Sequence, residues 1–173
     1  MALAALKVAA DELLLFCPAD HLIPDHQAFA EVVAQGQAAA LNGAIVTFGI
    51  TPAFPSTAYG YIRQGNARAD GAFDVQGFTE KPAAEIAQTL MDSGKALWNG
   101  GIFLCTAQSL LNALEQHAPD ILQACTQAMT NVCQDGVFVR PDTKAFQACR
   151  AESIDYAVME HHGNVAVVPF DSA

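Results

Sequence analysis

Four short apolar runs, Leu13 to Cys17, Ala44 to Ile50, Gly101 to Thr106 and Val165 to Val168, constrain this chain more than any other feature, because the stretches between them carry helical patterning. Runs of that length without polar alternation mark strands covered on both faces. Between the first two, Asp25 can cap a segment in which Phe29, Val32, Val33 and Leu41 recur at helical spacing, and Asn42-Gly43 supplies a left-handed terminator. Strand, helix, strand in that order predicts a parallel pair joined by a right-handed crossover. The expected architecture is therefore α/β, a mixed and mostly parallel sheet flanked by helices.

The remaining segments fit that frame. After a proline-bearing stretch, Thr51 to Tyr59, the segments Tyr59 to Arg63 and Ala72 to Glu80 flank a polar tract and predict a hairpin-like excursion. Pro82 can occupy the first turn of a helix that runs to Ser93 and ends at Gly94. Residues 107–135 predict two packing helices broken at Ala118-Pro119, with Leu110, Leu111 and Leu114 on one face and Ile121, Leu122, Cys125 and Met129 on the next. Residues 2–10 read as a further helix, and Ser153 with Asp155 favours a helix start. A chain of 173 residues, 52% of them hydrophobic, can bury one substantial core, so residues 1–173 are expected to form a single domain.

Charge narrows the function. Asp and Glu outnumber Lys and Arg by 18 to 8, for a formal charge of −10, which argues against a nucleic-acid surface. Such a chain can still bind phosphorylated ligands if a few basic groups or a divalent cation stand locally at the site, so its rare basic residues are informative. The five cysteines show no CxxC or Cys/His ligand spacing and read as buried free thiols of a reducing cytosol, with no zinc expected. The first residues lack a basic leader, and no apolar stretch reaches the roughly 18 residues of a membrane span, so a cytoplasmic protein is expected.

Candidate chemistry gathers at strand ends. Asp20 lies beyond the first predicted strand in ProAlaAspHis, at the carboxyl edge where open α/β sheets bind ligands, and its carboxylate suits Mg²⁺; it could equally cap its own loop. ThrGluLysPro, residues 79–82, ends a strand with an acid and a base side by side. Lys81 could meet a phosphate and Glu80 could accept from sugar hydroxyls, although a Glu-Lys neighbour pair is often only a solvated surface pair. TrpAsnGlyGly, residues 98–101, sets the amide of Asn99 beside backbone without side chains, and Gly60 in AlaTyrGlyTyr likewise permits close backbone approach. Each could also be an ordinary turn. His161 and His162 before Gly163 read as favourable charges at a helix C-terminus.

In order and with their spacers, ProAlaAspHis, TyrGlyTyrIle, GluLysPro, TrpAsnGlyGly and SerIleAspTyrAlaValMetGlu resemble the mannose-1-phosphate guanylyltransferases of the sugar nucleotidyltransferase family. The resemblance spans almost the whole chain and implies a Rossmann-like nucleotidyltransferase (nucleotide-diphospho-sugar transferase) fold. It also implies guanylyl transfer from GTP to mannose 1-phosphate, giving GDP-mannose and pyrophosphate, with Mg²⁺ as cofactor. Carried over position by position, it makes Asp20 a metal ligand and, with Lys81, a catalytic residue; Lys81 would meet the sugar phosphate, and Gly60, Glu80, Asn99 and Asp155 would bind substrate. Two departures stand out: the family opens with a GlyGlyxGlyThrArgLeuTrpPro loop for the nucleotide phosphates and continues beyond the equivalent of Asp171 into a TrpSerAspValGly-like segment with a second metal-binding Asp. Neither is in this sequence, so the fold is expected to be incomplete at both ends, the chain inactive alone, the GTP site partial, and self-association favoured by an uncovered sheet edge. The family also commonly has Ser where Gly100 stands. The alternatives are a related enzyme acting on glucose 1-phosphate and a non-catalytic module that binds a sugar phosphate or a protein partner.

Overall fold

In the computed structural model, residues 1–170 are described. The elements in chain order are α1 (Ala2–Ala5), β1 (Leu13–Phe16), α2 (His26–Leu41), β2 (Ile45–Ile50), β3 (Tyr61–Ala67), β4 (Phe73–Thr79), α3 (Ala84–Asp92), β5 (Ala96–Thr106), α4 (Ala107–His117), α5 (Pro119–Thr130), β6 (Cys133–Asp135), β7 (Phe138–Arg140), α6 (Thr143–Gln147), a π-helix (Asp155–Met159) and β8 (Val165–Pro169). They gather into two compact units: a sheet unit, Leu13–Thr106 with Gly163 onward, and a helical unit, Met1–Glu12 with Ala107–His162.

The sheet unit holds six strands in the order β1-β5-β2-β8-β4-β3, with a further pairing of β5 to β3. The mixed α/β sheet expected from the sequence is present, but two details are corrected. β1 and β2 do not pair with each other: both run antiparallel to β5, which lies between them. Among the described residues the one parallel ladder is β2 with β8, so the pairing is mostly antiparallel rather than mostly parallel. A sequence pattern reports which runs are strands and cannot report that a distant run slides between two neighbours.

Between β2 and β8 on one face and α2 on the other lies the main core, built on Val46, Phe48, Ile102, Leu104, Val168 and Phe170. Phe29, Val32 and Val33 of α2, each partly buried, pack against it and gain a fraction of the roughly 1.5–3 kcal/mol that full burial of such a side chain contributes. Asp25 caps α2 as expected, its carboxylate accepting from the Ala28 N–H at 2.9 Å. Gly43 takes φ +92° after the helix. Leu41, expected on the apolar face, is 60% exposed, because it falls in the last turn as the helix leaves the sheet.

β3 and β4 form the expected hairpin. β5 is longer than its apolar run suggested: Ala96–Trp98 pair with β3, while the rest pairs with β1 and β2. Thr47 faces Phe103 and Gly49 faces Asn99, so β5 bulges between those two positions, where Gly101 takes φ +67°. Pro82 stands before α3 rather than in its first turn, and the N-cap is Ala83.

In the helical unit α4 and α5 break at Ala118-Pro119 as expected, with Leu110, Leu114, Cys125 and Ala128 buried. α1 is a single turn rather than a long helix. The β6–β7 hairpin was not foreseen, and the start at Ser153-Asp155 leads into a π-helix. His162 is not a free charge at a helix end: its Nδ1 lies 3.3 Å from His117 Nε2, and burial together with His117 holds its pKa below the ordinary histidine value. Of the cysteines, Cys105 and Cys125 are buried, while Cys17 and Cys133 are exposed, against the expectation of five buried thiols.

Candidate active site

The residues singled out just before β3, just after β4 and within β5 converge. The strand pairings Tyr61 with Thr79 and Tyr61 with Trp98 bring Gly60, Glu80 and Asn99 to the same edge of the sheet unit. The Asn99 N–H donates to the Gly60 carbonyl at 2.8 Å. A Cβ added at Gly60 would run into the Glu80 carboxylate and lie 3.4 Å from Asn99 Cβ, so any side chain here would displace Glu80 from its present position. Lys81 Nζ stands 3.4 Å from Glu80 Oε1; the lysine side chain is 58% exposed and the glutamate 10%. A nearly buried acid thus meets an ammonium that solvent, or an anion, can reach.

Backbone strain supports the same place. Lys81 takes φ 43°, and it is the one non-glycine residue with a positive φ among the described residues. That conformation costs roughly 1–2 kcal/mol for an L-residue, and such strain concentrates where a side chain must be aimed.

The loop before Gly60 is tied down by groups that sequence reasoning did not assign. The hydroxyl of buried Tyr61 accepts from the Ser56 N–H at 2.8 Å, and Ser56 Oγ accepts from the Ala58 N–H at 3.1 Å. Phe54 and Tyr59 set their rings edge-on to Trp98, each at 5.0 Å between centroids. The buried indole Nε1–H of Trp98 has no hydrogen-bond partner among the described residues, so the side chain is held by these ring contacts and by packing against the Tyr61, Ala87 and Ala96 cluster.

Asp20 occupies a second part of the same unit. It lines a cleft of about 250 Å³ with His21, Phe48, Ile50, Gly100 and Phe170. Gly100 follows Asn99 directly, so the bulge of β5 serves both places. A Cβ at Gly100 would come within 2.8 Å of the Phe48 carbonyl oxygen, so the serine common in the family would require the strands to shift here. Among the described residues no three His, Cys, Asp or Glu side chains gather as a metal cage. Asp20 alone fits Mg²⁺ only where substrate phosphates and water supply the remaining oxygens, which is the usual manner of that ion.

Asp155 stands in the helical unit, in the first turn of the π-helix. Of the six residues expected at the site, Gly60, Glu80, Lys81 and Asn99 form one cluster, Asp20 lines the cleft beside Gly100, and Asp155 belongs to the other unit. Asp171 lies outside the described residues.

A strained cation thus stands beside a nearly buried carboxylate and close to Asn99 in a mixed α/β sheet unit. The nucleotidyl transferase family model matches residues 1–144, and the chain belongs to that family. Its relatives include the mannose-1-phosphate guanylyltransferase of Escherichia coli K12, 46% identical over 166 residues that make up 94% of this chain and 35% of that protein. The xanthan biosynthesis protein XanB of Xanthomonas campestris is 43% identical over 99% of this chain and 36% of its own length. The chain thus spans about a third of these curated relatives. A solved mannose-6-phosphate isomerase from Helicobacter pylori superposes with a TM-score of 0.90 at 33% identity, covering 99% of this chain and 66% of that one. A Thermus thermophilus structure described as a mannose-1-phosphate geranyltransferase gives 0.83 at 32%, covering 98% and 48%.

Proposed function

We propose that this chain carries the sugar-phosphate half of a mannose-1-phosphate guanylyltransferase site. The observation that carries the reading is the Gly60–Glu80–Lys81–Asn99 cluster, in which four residues from three motifs of the family meet at one sheet edge. In the reaction a phosphate oxygen of mannose 1-phosphate attacks the α-phosphorus of GTP; the new P–O bond gives GDP-mannose, and the bond to the leaving pyrophosphate breaks.

The chain's own residues have defined parts in that displacement. Lys81 exchanges its contact with Glu80 for the sugar phosphate and neutralises part of its charge, which lowers repulsion between the two anions. Glu80, relieved of the ammonium, accepts from sugar hydroxyls, and Gly60 leaves the sugar room against the backbone. Asn99 fixes the sugar's orientation, so that the phosphate is held in line. Asp20 would hold Mg²⁺ together with phosphate oxygens; when bound, that ion neutralises charge on the phosphates. For Asp155, a substrate-binding role rests on the SerIleAspTyr segment alone. The reading implies a cytoplasmic protein, where nucleotide triphosphates are found, and no helix here is long and apolar enough to cross a membrane among the described residues.

Calorimetric titration of the chain with mannose 1-phosphate and with glucose 1-phosphate, with and without Mg²⁺, tests the reading. Preferential binding of mannose 1-phosphate supports it; a folded chain that binds neither overturns it.

A further inference from the structure

Two of the free thiols share a cavity of the helical unit. The hollow measures about 340 Å³, and Leu114, Ile121, Phe146 and Ile154 line it together with Cys125 and Cys149. The sugar-phosphate chemistry proposed above makes no use of it.

The fold brings the two cysteines together by doubling the chain back on itself. After the β6–β7 hairpin, residues 142–150 return along α5 and are tied to it at both ends. The Asp142 N–H donates to the Ala128 carbonyl at 2.9 Å, and Arg150 Nε donates to the Asp120 carboxylate at 2.8 Å. This segment therefore runs antiparallel to α5. Ile121 and Cys125 stand one turn apart on the same face of that helix, and Cys149 lines the same cavity as both. Burial first, and then the charge and hydrogen bonding of the neighbouring Cys149 thiol, push the Cys125 thiol up. The pair is unequal in access: Cys125 is 3% exposed, whereas Cys149 is partly open to solvent. Oxidants select thiols by access and thiolate character, so Cys149 is the one they reach first.

We propose that Cys125 and Cys149 are a redox pair, which a peroxide closes into a disulfide across the cavity of the helical unit. With hydrogen peroxide, the Cys149 sulfur attacks one oxygen, the O–O bond breaks, and Cys149 becomes a sulfenic acid as one water leaves. The Cys125 sulfur then attacks the Cys149 sulfur; the S–S bond forms as the S–O bond breaks, and the departing hydroxide takes the Cys125 proton as a second water. The two thiols lose two electrons and two protons, and one peroxide becomes two waters. The new bond ties α5 to the segment after α6 and closes a loop over residues 126–148. This proposal is independent of the sugar-phosphate reading.

The test treats the folded chain with hydrogen peroxide, blocks the remaining thiols with a maleimide and maps peptides without reduction. The expected product is a linked peptide joining Cys125 to Cys149, with a urea unfolding midpoint that rises and returns on reduction with dithiothreitol, because the cross-link restricts the unfolded chain. In Cys125→Ser, Cys149 is expected to stop at the sulfenic acid and be captured by dimedone; in Cys149→Ser, Cys125 is expected to stay reduced. Peroxide that oxidises the exposed Cys17 and Cys133 yet leaves Cys149 untouched, or carries it to sulfinic acid with Cys125 still reduced, would overturn the proposal. Equal capture of Cys149 by dimedone in the parent chain and in Cys125→Ser would overturn it too, since Cys125 would then not be resolving the sulfenic acid.

Discussion

The candidate site of the sheet unit and the ion pairs of the helical unit use polar residues in different ways. In the sheet unit, polar side chains are drawn inward and oriented: Thr47 is buried against Asn99, Glu80 is nearly buried against Lys81, and the Tyr61 hydroxyl holds Ser56. In the helical unit the ion pairs lie at the surface, while His117 and His162 meet partly buried. Arg150 spans Asp120 and Glu152, and Arg140 pairs with Asp135 across the β6–β7 turn. Exposed pairs of that kind contribute little, since solvent screens them and the side chains lose freedom. An oriented, half-buried polar group has already given up its freedom before a ligand arrives, which is the physical reason the proposed chemistry is assigned to the sheet unit.

The contrast can be broken most severely at the core beneath the site. Phe48 is buried and also walls the Asp20 cleft, so Phe48→Ala is expected to cost about 3–5 kcal/mol of stability in urea unfolding. A loss near zero would mean that α2 and β2 do not pack as described. Next in size is the charge at the site. Lys81→Ala should weaken mannose 1-phosphate binding about 10- to 100-fold in titration, the range for a hydrogen bond to a charged group, whereas Arg150→Ala should leave it unchanged. Equal losses from both would erase the distinction between the units.

A smaller effect lies in the helical unit's response to acid. His162 has its pKa lowered in the folded chain, so both states are neutral above the ordinary value of about 6.5. As pH falls through that value the unfolded chain takes up a proton that the folded chain resists, and stability falls. Urea midpoints measured between pH 7.5 and 5.5 should decline, and His162→Asn should flatten the decline; a midpoint that rises on acidification would contradict the burial of the ring. The smallest effect is one of thiol access. Cys17 and Cys133 should react with a maleimide in the native chain, while burial pushes the Cys105 thiol up to about 12 and it should stay unmodified even at pH 9.

How far the sequence spoke depended on whether a feature is local. The cap at Asp25, the terminator at Gly43, the Ala118-Pro119 break and the β3–β4 hairpin were legible because each is decided within a few residues. The insertion of β5 between β1 and β2 was not, since it depends on pairing between runs far apart in the chain. The same division holds at the site. Gly60, Glu80, Lys81 and Asn99 were marked by strand-end position and by resemblance, but nothing local said that they meet, because the long-range pairings of β3 with β4 and β5 arrange that. Thr47 was passed over within an apolar run; a hydroxyl in the middle of such a run was the available signal. The positive φ at Lys81 left no trace in the sequence, as residue type there gives no hint of it.

The measurement that tests the central claim most directly is a residue-resolved NMR titration of the chain with mannose 1-phosphate. The account predicts that backbone and side-chain signals of Gly60, Lys81, Asn99 and Gly100 shift together, with a common affinity, while those of Asp120, Arg140 and His162 stay in place. Shifts confined to the helical unit, or spread without preference over both, would contradict it.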